Sequence, residues 1–233
     1  MFHFWQALAF IPGRIIFPSR IYGKKNLPKG KAVLTINHTS NLDSVIIALG
    51  TYEKKFYLAK KELFKNKVRS SFLKGLGAIK IDRSTADISA IKQCLTVLKK
   101  NKKLIIYPEG TRNKSAQDED LDLGEVKSGA AMLAIKSKSP IIPIWIYNRP
   151  KAFRTTKVLI GKPYTLEEFY GQKLGDEVLE KASAIVAGKL NELKLEAEQK
   201  FKKTKKTKKA KKDKKVKNSE TQKSEKSEEK EAK

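Results

Sequence analysis

Ala32-Val33-Leu34-Thr35-Ile36-Asn37-His38-Thr39-Ser40-Asn41-Leu42-Asp43-Ser44-Val45-Ile46-Ile47-Ala48-Leu49 is the stretch on which the fold reading turns. Residues 32–36 form a short apolar run of the kind that makes a buried strand. Asp43 stands where a helix N-cap belongs, and the apolar residues 45–49 follow it. Strand, polar turn and helix in this order begin an α/β unit. The turn also holds His38, one of only two histidines, with a carboxylate five positions later. A histidine where a strand meets a turn can be exposed while its backbone is held rigidly. A nearby carboxylate can accept from one ring nitrogen and leave the other basic, as a general base for a hydroxyl or thiol must be. An ordinary turn histidine beside a helix-capping aspartate would use the same residues, so this segment alone leaves both readings open.

Outward from this unit the alternation continues. Residues 56–59 read as a strand, 61–74 as a helix ended by Gly75 and Gly77, and 78–81 as a strand ending at Asp82-Arg83. Ser84 or Thr85 can cap a helix that runs to Lys100, with Asp87 in its first turn. Residues 104–107 read as a strand stopped by Pro108, and 113–125 as a polar, acidic loop. A helix over 129–136, strands over 141–146 and 157–161, and a helix over 176–200 complete the pattern. The expected class is α/β, with a central, mostly parallel sheet flanked by helices on both faces. In such sheets the chemistry gathers at strand ends, where the polar turns fall.

The chain has 233 residues, enough for one domain with a substantial core. Its only cysteine, Cys94, excludes an internal disulfide and a cysteine-rich zinc site. Ile88, Ile91, Leu95 and Leu98 lie at helical spacing around it, so Cys94 reads as a small core residue.

The formal charge is +26. Residues 201–233 hold 15 lysines against 6 acids, and removing that excess still leaves +17 on residues 1–200. Such a chain is drawn to polyanions: nucleic acid, anionic lipid surfaces or acidic proteins. The tail repeats Lys-Lys-Thr and has almost no apolar residue, which predicts disorder. Residues 1–12 are apolar, aromatic and free of acids, with Pro12 at their end. They are too short to span a bilayer, which takes roughly 20 apolar residues. With Arg14, Arg20, Lys24 and Lys25 behind them, they suit a helical segment lying in the membrane interface. The expected division is a membrane-interface segment over 1–24, a catalytic domain over 25–200 and a disordered basic tail over 201–233.

Four polar turns line up, each after an apolar run: His38 to Asp43, Lys60, Asp82-Arg83, and Tyr107-Pro108-Glu109-Gly110-Thr111-Arg112. Together they supply a base with its orienter, two guanidinium groups suited to a phosphate, and a glycine that lets backbone approach a ligand.

Over residues 33–161 the sequence resembles the glycerolipid acyltransferases of the lysophosphatidic-acid acyltransferase type. Asn37-His38-x-Ser40-x-x-Asp43 resembles their H-x4-D motif, and residues 59–63 resemble the segment after it. Residues 77–83 resemble the second motif, and residues 107–112, with Glu109-Gly110-Thr111-Arg112, the third. Lys127-Ser128-Gly129-Ala130 and the proline-containing Ile142-Pro143-Ile144 resemble the remaining segments. The lysine tail and the acidic loop depart from the pattern.

The resemblance implies acyl transfer to a lipid hydroxyl, the sn-2 hydroxyl of 1-acyl-sn-glycerol-3-phosphate, making phosphatidic acid. His38 would be the base and Asp43 its orienter. Lys60 and the Gly110 amide would stabilise the oxyanion. Arg83 and Arg112 would hold the acceptor phosphate, with Glu109 orienting them. Asn37, Ser40, Thr111, Lys127, Gly129 and Pro143 would support the motifs. No metal or bound cofactor is required. The acyl donor would be a thioester of acyl carrier protein or of CoA, and the basic surface favours the acidic carrier protein. The expected partners are the anionic bilayer surface and lysophosphatidic acid, and the expected location is peripheral or monotopic on the cytoplasmic face of a membrane. Two other readings stand beside this one: a related transferase acting on glycerol-3-phosphate, a lysophospholipid or an aminolipid, and, more distantly, a nucleic-acid-binding protein acting through the basic tail.

Overall fold

The computed structural model describes residues 13–51, 55–82, 87–110 and 123–202. The chain divides into two units, residues 1–194 and 195–233. The second is described over 195–202, which is helical. Everything below concerns the first.

Seven strands form one sheet: β1 (Ser19–Tyr22), β2 (Ala32–Ile36), β3 (Lys55–Lys60), β4 (Ala78–Ile81), β5 (Lys103–Ile106), β6 (Ile141–Ile146) and β7 (Thr156–Ile160). Their order is β1-β7-β6-β2-β5-β3-β4. Every pairing is parallel except β6 with β7. The crossovers are α1 (Asp43–Thr51), α2 (Lys67–Gly75), α3 (Ile88–Lys99) and α4 (Gly129–Ser137), and a further helix starts at 176.

Strand β2 is buried at all five positions, as a strand covered on both faces must be. Its residues alternate between two cores. Val33 joins Leu104 and Ile141 against Cys94 and Leu98 of α3, Ala130 and Ala134 of α4, and Val186 and Leu190 of the last helix. Leu34 and Ile36 join Ile105, Ile142 and Ile144 against Ile46 and Ile47 of α1. The α/β class and the mostly parallel sheet therefore match expectation, and Cys94 is the core residue it was read to be.

Three local readings change. Residues 19–22, assigned above to the membrane-interface segment, are an edge strand paired in parallel with β7. Gly50 makes room for that strand, since a Cβ there would meet Ile21 Cδ1. The helix expected over 61–74 is divided into a short 3-10 turn, Lys61–Phe64, and α2. The Asn66 side chain starts α2 by accepting from the Arg69 amide, which gives the backbone a reason to restart there. Asp87 is itself the cap of α3, accepting from Ala90 N at 2.9 Å, rather than a first-turn residue. The antiparallel pairing of β7 with β6 falls within the mostly parallel sheet that was expected.

Ser84 and Thr85 lie outside the described residues, as do residues 1–12 of the apolar head, 111–122 of the acidic loop and 203–233 of the tail. Among the described residues no helix is long and apolar enough to cross a membrane.

Candidate active site

The site sits where β2, β5 and β6 end together, at the carboxyl edge of the parallel strands. Asn37 follows β2 and is 2% exposed. Its side chain closes two bonds on Ile146, the last residue of β6. Its Nδ2 donates to the Ile146 carbonyl at 3.1 Å, and its Oδ1 accepts from the Ile146 amide at 2.7 Å. The turn that carries His38 is thereby fastened to the neighbouring strand.

Asp43 opens α1 and its side chain is fully buried. Its Oδ2 accepts from Thr39 N at 2.7 Å and Ser40 N at 2.7 Å, and it lies 2.9 Å from His38 Nδ1. Its Oδ1 accepts from Thr39 Oγ1 at 2.9 Å. A carboxylate oxygen that accepts from two amides is an acceptor for the ring nitrogen too, so Nδ1 carries the proton. The basic lone pair is then on Nε2.

Tyr107, the residue after β5, stacks on the His38 ring with centroids 4.0 Å apart and planes 22° apart. Its hydroxyl shares a 2.6 Å hydrogen bond with Ser44 Oγ. Burial, reinforced by the Asp43 charge, holds its phenol well above the ordinary value, so the ring stays neutral beside the imidazole. Sequence reasoning placed Tyr107 in a motif without giving it a role. No sequence signal gave it one: Thr35 pairs with Ile106 and sets the residues after β2 beside those after β5, a register that the structure shows.

Glu109 is 6% exposed. Its Oε1 accepts from the His38 amide at 2.9 Å and its Oε2 from the Gly124 amide at 3.2 Å. Burial raises its carboxyl above the ordinary value, against the two amide bonds that favour the ionised form. In this structure Glu109 braces the histidine's backbone and ties it to the far end of the loop after β5.

Gly110 has φ +69°, a left-handed conformation that glycine adopts without cost. A Cβ there would lie 3.2 Å from Lys127 Cδ, so the missing side chain also makes way for the lysine. The Gly110 amide, expected to face an oxyanion, donates to the Tyr107 carbonyl at 2.9 Å, within the turn. Lys127 N donates to the Pro108 carbonyl at 2.8 Å, which fixes that lysine over the Glu109-Gly110 turn.

The structure thus brings together Asn37, His38, Ser40, Asp43, Glu109, Gly110 and Lys127. Lys60 ends β3, exposed, at the same sheet edge. Gly129 is the first residue of α4. Pro143 lies within β6 opposite Thr35, away from the turn itself. Arg83, Thr111 and Arg112 lie outside the described residues. Asp82, just before Arg83, is anchored at that edge by its amide bond to Asp87 at 2.9 Å.

A basic imidazole nitrogen, with Nδ1 held by Asp43 and the ring stacked on Tyr107, can deprotonate a hydroxyl brought to it. A family model described as Acyltransferase matches residues 18–147, more than half of the chain. The chain belongs to the acyltransferase family. The 1-acyl-sn-glycerol-3-phosphate acyltransferase of Bacillus subtilis is 33% identical over 158 residues, covering 64% of this chain and 75% of that protein. Its counterpart from Streptococcus pneumoniae is 30% identical over 175 residues, covering 72% of this chain and 62% of that protein. The chain thus spans three quarters of the first relative's length and less than two thirds of the second's. The crystal structure of PlsC from Thermotoga maritima, a 1-acyl-sn-glycerophosphate acyltransferase, superposes with a TM-score of 0.59 at 23% identity, covering 83% of this chain and 78% of that one. At that identity the superposition establishes the fold. This acyltransferase carries its His-Asp pair at the sheet edge where the fold places ligands.

Proposed function

We propose that this acyltransferase moves a fatty acyl group from a thioester to the sn-2 hydroxyl of 1-acyl-sn-glycerol-3-phosphate, making phosphatidic acid. The observation that carries the proposal is the His38-Asp43 pair, with Nδ1 tied to a buried carboxylate and Nε2 left as the base. The names of the two bacterial relatives support the choice of acceptor.

In the reaction, the acceptor hydroxyl loses its proton to His38 Nε2 as its oxygen attacks the thioester carbonyl carbon. Asp43 holds the tautomer and stabilises the imidazolium that forms. The tetrahedral intermediate collapses with cleavage of the carbon–sulfur bond, and the proton on Nε2 passes to the leaving thiolate. Lys60 is the cation assigned to the oxyanion, and Gly110 serves chiefly through the turn its positive φ permits. Arg83 and Arg112 hold the acceptor phosphate, for which the planar guanidinium fork is suited. Asn37 and Glu109 keep the histidine's backbone in place, and Lys127 brings a further positive charge over the turn. The enzyme works at the surface of an anionic membrane, on its cytoplasmic face, with a catalytic domain over 25–200. The basic surface favours an acidic acyl carrier protein as donor over acyl-CoA.

The test is labelled acyl transfer to 1-acyl-sn-glycerol-3-phosphate in mixed micelles, with both donors offered and His38→Ala beside the wild type. Product from the wild type and a loss of about a thousandfold or more in a folded His38→Ala enzyme is the expected result. No product from folded wild type would overturn the acceptor assignment, and glycerol-3-phosphate and lysophospholipids would be tried next.

A further inference from the structure

Strand β7 is antiparallel to β6, and β1 is parallel to β7. The loop 147–155 and the residues just before β1 therefore lie at the same sheet edge as His38. They are joined to each other: Phe153 N donates to the Ile16 carbonyl at 2.6 Å and Thr156 N to the Pro18 carbonyl at 2.8 Å.

This junction exposes apolar side chains. Phe153 is 76% exposed, Ile15 64% and Ile16 37%. Phe153 also has φ +58°, a left-handed conformation in which a bulky aromatic residue is a true outlier. It is the third residue of the turn closed by the Lys151–Arg154 bridge, a place where glycine or asparagine is the usual solution. Strain of this kind persists only where the surroundings over-determine it. Here Asn148 does so, its Nδ2 donating to Thr155 O at 3.2 Å and its Oδ1 accepting from Lys157 N at 2.9 Å. Arg154 also reaches back to the Arg149 carbonyl at 2.5 Å. The loop therefore holds a benzyl ring out in water, in a costly backbone conformation.

The two stretches that meet here carry only positive charges of their own. Residues 147–157 hold Arg149, Lys151, Arg154 and Lys157, residues 13–22 hold Arg14 and Arg20, and neither stretch contains an acid. Exposed aliphatic and aromatic side chains on basic, acid-free stretches match an anionic lipid surface, in which the apolar groups enter the interface and positive charge meets headgroups. We infer that Phe153, with Ile15 and Ile16, forms a membrane-docking surface that seats the carboxyl edge of the sheet on an anionic bilayer. The inference rests on the proposed lipid acceptor for its purpose: docking here turns the His38 edge toward the membrane that holds the acceptor.

The experiment places an environment-sensitive nitrobenzoxadiazole label on Phe153→Cys. Cys94 is 1% exposed, so the label goes to position 153. Vesicles containing phosphatidylglycerol should shift the label's emission to the blue, and spin-labelled lipid should quench it. Phe153→Gly should weaken vesicle binding about tenfold without lowering the melting temperature, because glycine relieves the strained φ. Lys151→Glu should weaken binding to anionic vesicles more than to phosphatidylcholine vesicles. The inference is overturned if the label stays water-like on vesicles that bind the protein, or if Phe153→Gly binds them as well as the wild type. A label already shielded without lipid would overturn it in favour of a cover from the chain's own residues or a second copy. Acyl transfer to a short-chain, water-dispersed acceptor, measured without vesicles, tests the proposed reaction separately: its failure with intact insertion would sink the reaction and leave the docking surface standing.

Discussion

Replacing Asp43 with asparagine separates two things the carboxylate does. Three donors converge on Oδ2, and one, the Thr39 hydroxyl, on Oδ1. An asparagine that puts its carbonyl oxygen in the Oδ2 position keeps all three of those bonds. Its NH2 then faces Thr39 Oγ1, which can rotate to accept. Asp43→Asn should therefore keep the His38 tautomer and lose only the charge. An anion 2.9 Å from Nδ1 stabilises the imidazolium by about 4–6 kcal/mol at an effective dielectric of about 20. With the neutral carbonyl dipole supplying roughly half of that, kcat should fall about a hundredfold. Stability should fall by about 1–2 kcal/mol, since charge-assisted bonds become neutral ones. Asp43→Ala removes the acceptor altogether and should cost about 10⁴-fold in kcat and about 3 kcal/mol or more. The assay is initial-rate acyl transfer on both variants alongside their thermal melts. If folded Asp43→Asn is as dead as His38→Ala, the tautomer argument is wrong. If it stays within about threefold of wild type, the charge takes no part in the rate.

Asn37→Ala strips both partners from the Ile146 backbone. It should lower stability by about 2–3 kcal/mol and reduce kcat more than it raises KM, as read by denaturant titration and steady-state kinetics. Gly110→Ala forces a left-handed alanine against Lys127 and should cost about 1–2 kcal/mol in thermal unfolding. Glu109 has a folded-state pKa raised above its unfolded value, so the native state binds protons more tightly than the unfolded one above pH 4.5. Its contribution is thus largest at low pH and is lost as pH rises through the raised pKa. Melting temperatures of Glu109→Gln should decline less across that window than those of the wild type, and equal slopes would refute the assignment.

The central βα unit was legible because its signals are local. Residues 32–36 are apolar apart from Thr35, and the spacing from His38 to Asp43 is short enough for one turn to bring them together. The partners of His38 beyond Asp43 were not legible in that way. Glu109 reaches the His38 amide across a sequence separation of 71 residues, and Asn37 reaches Ile146 across 109. Such bonds depend on which strands become neighbours, and no periodicity encodes that. Strand β1 was missed because Ser19–Tyr22 is short, polar in part and only partly buried, as edge strands are. The break before α2 was readable in hindsight from Asn66, a capping residue inside an otherwise continuous helical pattern. The site's cations were recognised by resemblance, and the structure adds only where Lys60 and Lys127 stand.

The clamp between Asn37 and Ile146 also bears on the order of events during synthesis. A nascent chain that has emerged through Gly110 already contains the base, its orienter and the Glu109 brace, but not the strand that fastens the turn. Until β6 has left the ribosome and taken its place beside β2, His38 stands on an unfastened loop end. Competence to transfer acyl groups is thereby tied to near-completion of the sheet, so an unfinished polypeptide on the ribosome stays inactive.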